Sequence, residues 1–263
     1  VRASQAGTTN VLSANQEYSI VVAKAPQTLS FGAIPNQSLS KTPLQLVGSA
    51  SSGLPVTFEV VAGPATILNN SLSLTGMGTV VLRARQGGNS NYLEAVPKDQ
   101  TFVVGRGAQS VSFAVLSGVN YGTSPITLLA SSSADLPISF RVVSGPGSIT
   151  GNILTVSGAG ELVMEASQEG NELYLPAKAT QTVSVGKASQ TIAFEALADM
   201  AFSTNAIALK ATAGSGLPVS FRVVSGGANV SSNALSLSGV GVIQVAAEQS
   251  GESNWLAAAS VTN

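Results

Sequence analysis

The sequence predicts an all-β chain of tandem immunoglobulin-like antiparallel β-sandwich modules, each about 81–82 positions long, that together form a rod. The first observation behind this prediction is a long repeat. The segment Ser-Gly-Leu-Pro-Val at residues 52–56 returns unchanged at residues 215–219, and the marker leucines Leu54, Leu136 and Leu217 recur at a nearly constant interval. That period is too long for one unit of a solenoid, so each copy is a small domain of its own.

The second observation is an alternation of apolar and polar residues with the two-residue period of a half-buried strand, at 56–60, 138–142 and 219–223. A later strand of each copy carries three inward apolar residues, which are Val80, Leu82 and Ala84, then Leu162, Met164 and Ala166, then Ile243, Val245 and Ala247. With the remaining short strands and their turn glycines, each module has about seven strands and no helix, which favours a sandwich over the alternative of an open barrel.

The repeat divides the chain into four parts. They are the C-terminal part of an upstream module at 1–23, module 1 at 24–105, module 2 at 106–186 and module 3 at 187–263. Asn263 aligns with Thr182, so we expect module 3 to lack its last strand. Only seven positions separate Val104, the last inward residue of module 1, from Val111, the first of module 2, so the links are short and bending is limited.

Composition excludes several classes of function. Charged residues make up 10% of the chain and the net charge is −1, with no run of Lys or Arg, so binding to nucleic acid or to an anionic membrane lacks its electrostatic basis. The longest apolar runs have the length of strands, so we expect no membrane insertion. Without His or Cys, and with no pair of carboxylates at matching positions of successive modules, the chain offers little material for catalysis. Its three Asp are scattered, so it has no Asp-rich calcium loop, and we expect no cofactor. We predict that it is not an enzyme.

The candidate site residues are three aromatic residues at equivalent positions of successive modules, Tyr92, Tyr174 and Trp255. An exposed ring there could stack on a sugar. Each is followed by Leu and then Ala, an apolar cluster suited to closing the module end against its neighbour, and we favour this interface role. The recurring glutamines Gln86, Gln168 and Gln249 continue an inward strand face, so we expect their amides to clamp a loop through backbone hydrogen bonds.

Several motifs resemble a known group of proteins. They are Gly-Leu-Pro-Val, Val-Val-Ser-Gly, the Leu-Ser-Leu-Ser-Gly-Val-Gly of residues 235–241, and the Tyr-Gly-Thr-Ser-Pro of residues 121–125. The chain is similar to the bacterial immunoglobulin-like tandem repeats, of the MBG-like or Big-like kind, found in secreted and cell-surface proteins. The resemblance implies an extracellular or cell-surface location in a bacterium, where such arrays act as adhesin stalks, filaments and spacers. It carries over no binding residue.

We therefore expect a structural, non-catalytic repeat segment of a bacterial extracellular stalk, fibre or adhesin, whose partners are neighbouring modules of the same chain. Two alternatives stay open. The modules could be carbohydrate-binding accessories of a large secreted protein, with the three aromatic residues contacting polysaccharide. Separate chains could also self-assemble into filaments by strand donation, with residues 17–23 of one chain completing module 3 of another and Ile20 and Val22 facing inward.

Overall fold

The computed structural model describes residues 1–123 and 125–263, and every regular element in that part of the chain is a β-strand. Contacts divide the chain into two compact units. The first is Val1–Ala108 with Asn171–Leu175, and the second is Gln109–Gly170 with Pro176–Asn263. Ser124, which belongs to the motif at 121–125, lies outside the described residues.

The first unit contains eleven strands. They are β1 (Arg2–Gln5), β2 (Ala14–Glu17), β3 (Leu29–Phe31), β4 (Gln37–Ser38), β5 (Leu44–Gln45), β6 (Gly48–Ala50), β7 (Thr57–Ala62), β8 (Ala65–Leu68), β9 (Ser71–Leu74), β10 (Gly78–Arg85) and β11 (Lys98–Gly105). Strands β1 and β2 form a hairpin, and the others form sheets with the orders β3-β6, β5-β9-β8 and β4-β11-β10-β7. All pairs are antiparallel except β4 with β11.

The second unit contains two copies of a similar arrangement, each with eight strands. The first copy is β12 (Val111–Phe113), β13 (Ile126–Thr127), β14 (Ala130–Ser132), β15 (Ser139–Ser144), β16 (Gly147–Thr150), β17 (Ile153–Val156), β18 (Gly160–Gln168) and β19 (Ala177–Val185). The second copy is β20 (Ile192–Phe194), β21 (Ile207–Ala208), β22 (Ala211–Ala213), β23 (Ser220–Ser225), β24 (Ala228–Ser231), β25 (Ala234–Leu237), β26 (Gln244–Glu248) and β27 (Val261–Thr262). Their main sheets have the orders β15-β18-β19 and β23-β26-β27.

The central strand of each main sheet supplies the middle of the core. Val80, Leu82 and Ala84 on β10 are fully buried, as the alternation predicts. Burying one such Val or Leu side chain contributes about 1.5–3 kcal/mol. Each core contains two phenylalanines whose ring centroids are 5.1 to 5.6 Å apart. They are Phe31 and Phe58 in the first unit, and the second unit has a pair at the equivalent positions of each copy. The predicted fold class of tandem antiparallel β-sandwich modules is confirmed.

The strands differ from the prediction in number and in detail. Residues 24–105 form nine strands rather than about seven. Leu44–Gln45 and Gly48–Ala50 are separate strands in different sheets, and Gln37–Ser38 adds a short strand beside β11. Val61, Val143 and Val224 lie in β-bulges, where the pairing of the first strand of each main sheet with the central strand shifts by one residue.

Three expectations, about residues 1–23 and about the third repeat, need correction. We expected residues 187–263 to lack their last strand, but Val261–Thr262 form its beginning as β27 and pair with β26. Asn263 exchanges two backbone hydrogen bonds with Val245. Val245 corresponds to Met164 of the second repeat, and the residue opposite Met164 is Gln181. Asn263 is therefore equivalent to Gln181 rather than to Thr182. Ile20 and Val22 do not face inward in this chain, since they are 71% and 87% exposed.

Candidate functional site

The loop after each central strand is held by a pair of glutamines, and the member on the strand is buried in every repeat. In the third repeat, Gln190 Nε2 donates to Gln249 Oε1 at 2.6 Å and to the carbonyl oxygen of Leu256 at 2.7 Å. Gln249 Oε1 also accepts the backbone N–H of Gly251 at 2.6 Å, and Ser215 Oγ donates to Gln190 Oε1. These bonds satisfy the amide oxygens that burial removes from water.

The same glutamine pair occurs in the other repeats. Gln27 donates to Gln86, and Gln109 donates to Gln168, each at 2.5 Å. The strand glutamine also accepts the N–H of a glycine two residues later in both cases. The predicted loop clamp is therefore confirmed. Sequence reasoning missed the partner glutamines, although they recur at the same interval as the marker leucines and this was a usable signal.

The link between repeats pairs with the clamped loop through two backbone hydrogen bonds. Ala188 donates its N–H to Asn254 O at 2.9 Å and accepts from Leu256 N at 2.8 Å. Ala25 makes the same two bonds to Asn91 and Leu93. Each link residue thereby forms a parallel bridge to the aromatic residue of the loop.

Gly107 occupies the equivalent link position in the first unit. Its N–H donates to Leu173 O at 2.8 Å, and its carbonyl oxygen accepts from Leu175 N at 2.9 Å. A Cβ atom there would lie 2.4 Å from the carbonyl oxygen of Leu39 and 3.0 Å from the ring of Tyr174. Only glycine fits between these two groups, which explains why residue 107 is glycine where the other two links have alanine.

The structure places all three sequence-predicted site residues in these loops. Trp255 meets Tyr121 edge to face, with ring centroids 5.7 Å apart and an interplanar angle of 89°. Tyr174 is half-buried and packs against the apolar core of the first unit. Tyr92 is half-buried beside Ala25, to which it is bridged.

Polar contacts reinforce the same junctions. In the second unit, Asn254 Oδ1 accepts the N–H of Ala159 at 2.9 Å, and Lys187 Nζ donates to the carbonyl oxygen of Glu252 at 2.6 Å. In the first unit, Arg106 Nη2 donates to the carbonyl oxygens of Asn171 and Tyr174 at 2.5 and 2.6 Å. In both units a basic side chain of the link therefore donates hydrogen bonds to backbone carbonyl oxygens of the loop.

The outer faces of the main sheets carry ion pairs. Arg83 binds both carboxylate oxygens of Asp99 at 2.7 Å, and this hydrogen bonding lowers the pKa of Asp99. Glu165 lies between the inward residues Met164 and Ala166, so alternation places it on the outer face, yet it is 5% exposed, because Arg141 and Lys178 cover it. The hydrogen bond from Arg141, and then that from Lys178, lowers the pKa of Glu165.

The residues at 1–123 and 125–263 contain no cluster of three or more His, Cys, Asp or Glu side chains that could hold a metal ion. In the same part of the chain, no helix has the length and apolar character needed to cross a membrane.

No protein-family model matches the chain, and no curated protein matches it. Among solved structures it is similar to Drosophila N-cadherin EC1-4, with 14% identity, a TM-score of 0.31, and coverage of 98% of this chain and 80% of that one. It is also similar to domains 1–6 of the surface layer protein SbsC, with 12% identity, a TM-score of 0.32, and coverage of 97% and 42%.

A third similar structure is a SusE-like surface-located polysaccharide-binding protein from the heparin utilisation locus of Bacteroides thetaiotaomicron. The identity is 13% and the TM-score 0.23, with coverage of 70% of this chain and 37% of that one. At this level of similarity, the three structures give no information on a ligand or an activity of this chain. The resemblance to bacterial immunoglobulin-like repeats stays a prediction.

Proposed function

We propose that the chain is a structural, non-catalytic segment of a bacterial extracellular stalk, fibre or adhesin, in which tandem modules act as an extended spacer. The observation that carries the proposal is the repeated link pairing. Ala25, Gly107 and Ala188 each make two backbone hydrogen bonds to the clamped loop of their repeat. Backbone bonds that fix a link reduce its freedom to bend, which is the property a spacer needs.

The residue chemistry supports a mechanical role. The chain has no His and no Cys. The pKa values of Asp99 and Glu165 are lowered by Arg or Lys partners, as in structural ion pairs. A general acid or base would need a pKa moved towards neutrality instead. Because the chain has no disulfides, its stiffness depends on packing and hydrogen bonds. The glutamine clamps and the backbone hydrogen bonds of the links are the contacts that hold each link to its repeat.

The positions of the aromatic residues favour a role at the module junctions over one in polysaccharide binding. A sugar-stacking platform needs an aromatic face open to solvent. Tyr174 instead contacts an apolar core and Trp255 contacts Tyr121. We therefore assign Tyr92, Tyr174 and Trp255 to the junctions and place the glycan hypothesis second.

Small-angle X-ray scattering on the purified chain tests the spacer. Three extended modules of roughly 30–40 Å each give a maximum dimension of about 100 Å, from strand rise plus end loops. The matched control carries a short Gly-Ser insertion between residues 186 and 187, which separates Ala188 from β19 and should broaden the distribution of dimensions. A compact, folded-back particle, or a distribution that the insertion leaves unchanged, contradicts the proposal.

A further inference from the structure

The third repeat contains a cavity on its side, away from the junction loops. Its volume is about 720 Å³, within the range of about 300–1,000 Å³ that is typical of sites for small ligands. It is lined by residues of β20, β22 and β23, by the residues that lead into β22 and β23, and by the turn between β24 and β25. Tyr92, Tyr174 and Trp255 lie outside this lining.

The strands around the cavity are formed as in the second repeat. Ile192 of β20 lies opposite Ala213 of β22, in the same register as Val111 of β12 opposite Ser132 of β14. β23 pairs with β26 in the same register, bulge included, as β15 with β18. The cavity therefore belongs to a fully paired part of the repeat.

The floor of the cavity is apolar. The rings of Phe194 and Phe221 contribute to it, with their centroids 5.4 Å apart, and Pro218 and Val219 extend it. Both phenylalanines are half-buried, so part of each ring remains accessible from the cavity. Such a floor can cover the C–H groups of a ligand and remove them from water.

The rim of the cavity carries four exposed polar side chains, which are Glu195, Lys210, Thr212 and Asn233. Glu195 and Lys210 form an ion pair at 3.6 Å, so the rim has no net charge. A carboxylate accepts hydrogen bonds, an ammonium group donates them, and a hydroxyl or an amide does both. This set of groups matches neighbouring hydroxyl groups of a ligand, since each hydroxyl donates and accepts.

Backbone hydrogen bonds hold the rim residues in place. Glu195 donates its N–H to the carbonyl oxygen of Lys210 at 3.0 Å, and Leu209 donates its N–H to that of Asn233 at 2.7 Å. The rim side chains are therefore mounted on paired backbone. A ligand has to order side chains alone, which lowers the entropic cost of binding.

The charged pair distinguishes the third repeat from the second. Ala114 donates its N–H to Leu129 just as Glu195 does to Lys210, so these residues occupy equivalent positions. The phenylalanine pair of the floor is present in both repeats. The third repeat therefore adds polar, oppositely charged groups beside a floor that both repeats contain.

We propose that this cavity binds a neutral sugar unit of a polysaccharide. The floor covers C–H groups of the sugar ring, Glu195 accepts a hydrogen bond from one hydroxyl, and Lys210 donates one to the neighbouring hydroxyl. A neutral ligand fits because the rim has no net charge, and an acidic group would meet the carboxylate of Glu195. The proposal goes beyond the spacer function and can fail without it, because an extended chain need not bind a sugar.

Isothermal titration calorimetry on the 263-residue chain tests the proposal. The probes are maltohexaose, cellohexaose, laminarihexaose and mannohexaose, with glucose and mannose as the free sugars. At least one hexasaccharide should bind at one site per chain, more tightly than its monosaccharide. Absence of binding overturns the proposal, and so does binding of the free sugars alone. Tighter binding of a heparin hexasaccharide than of every neutral probe also overturns it.

Two variants locate the sugar on the chain. Glu195→Ala combined with Lys210→Leu gives the third repeat the residues that the second repeat folds with, and it should weaken binding about tenfold or more through the loss of two charged hydrogen bonds. Arg222→Gln is the matched control, because it breaks the exposed ion pair with Glu248 outside the cavity, and it should bind like the parent. Equal binding by the two variants overturns the proposal.

The second repeat allows the converse experiment. Ala114→Glu combined with Leu129→Lys adds the charged pair there and should raise the stoichiometry from one site to two sites per chain. In the parent, saturation with sugar should leave the fluorescence of Trp255 unchanged. A stoichiometry that stays at one overturns the role of the ion pair. A shift in Trp255 emission on binding would place the sugar at the junction loop and overturn the assignment to the cavity.

Discussion

The indole ring of Trp255 meets the phenol ring of Tyr121 edge to face at 5.7 Å, although the two residues belong to successive repeats. This geometry places the positive edge of one ring against the negative face of the other. Pairs of this kind contribute about 0.5–1.5 kcal/mol beyond the area that they bury. The contact adds side-chain packing to a link already fixed by the backbone pairing of Ala188.

The first prediction concerns this ring pair. Trp255 is the only tryptophan of the chain, so its fluorescence reports on the junction. Tyr121→Ala removes the neighbouring ring, admits water to the indole and should shift its emission to longer wavelength. Tyr18→Ala is the matched control, because Tyr18 is 65% exposed, and it should leave the spectrum unchanged. An unshifted spectrum in Tyr121→Ala would mean that the ring contact does not exist in solution.

The second prediction concerns the glutamine clamp. Gln249→Leu removes the acceptor of both the Gln190 amide and the Gly251 N–H. Leaving a buried donor unsatisfied costs about 1–3 kcal/mol. Both donors here are partly buried and Gln190 keeps its bond to Leu256, so the free energy of unfolding measured in urea should fall by about 1 kcal/mol. Gln16→Leu, at an exposed position on β2, should change it little. Equal effects of the two substitutions would contradict the clamp.

The third prediction is a pH dependence carried by Glu165. The hydrogen bonds from Arg141 and Lys178 lower its pKa in the folded chain, so this carboxylate stabilises the fold above its ordinary pKa of about 4.3. That stabilisation is lost as the pH falls through the lowered, folded-state pKa. Glu165→Gln should therefore have a lower Tm than the parent at pH 7, and the difference should shrink towards pH 3.

The exposed carboxylate of Glu161 provides the control for this pH experiment. Glu161 lies on the same strand, β18, as Glu165. Glu161→Gln should show a small and nearly constant Tm difference from the parent across the same pH range. A Glu165→Gln difference that stays constant with pH would show that the carboxylate contributes only packing.

The sequence was sufficient for most of the core and for the strand glutamines of the loop clamp. Alternation at a two-residue period identifies inward residues directly, as with Leu82 and Met164, which are fully buried. A glutamine that continues such an inward face can be satisfied only by a partner that folds over it, so Gln86 also was predictable.

Contacts between distant segments could not be read from the same pattern. Glu165 occupies an outward position and is covered only because Arg141 and Lys178 lie on the two flanking strands. The meeting of Trp255 with Tyr121 depends on how successive repeats are joined. Neither local alternation nor repeat spacing contains that information.

The last prediction concerns a glycine that closes the bulged corner of the main sheet. Gly145 has φ of +99°, and a Cβ atom on it would lie 2.1 Å from the carbonyl oxygen of Glu161. Gly151 also has a positive φ, of +61°, but open space around it. Gly151→Ala should therefore cost only the left-handed backbone penalty of about 1–2 kcal/mol. Gly145→Ala must in addition push strand β18 away, so its loss of stability should be clearly larger. Thermal unfolding followed by circular dichroism measures both variants, and equal Tm values would show that the corner relaxes without cost.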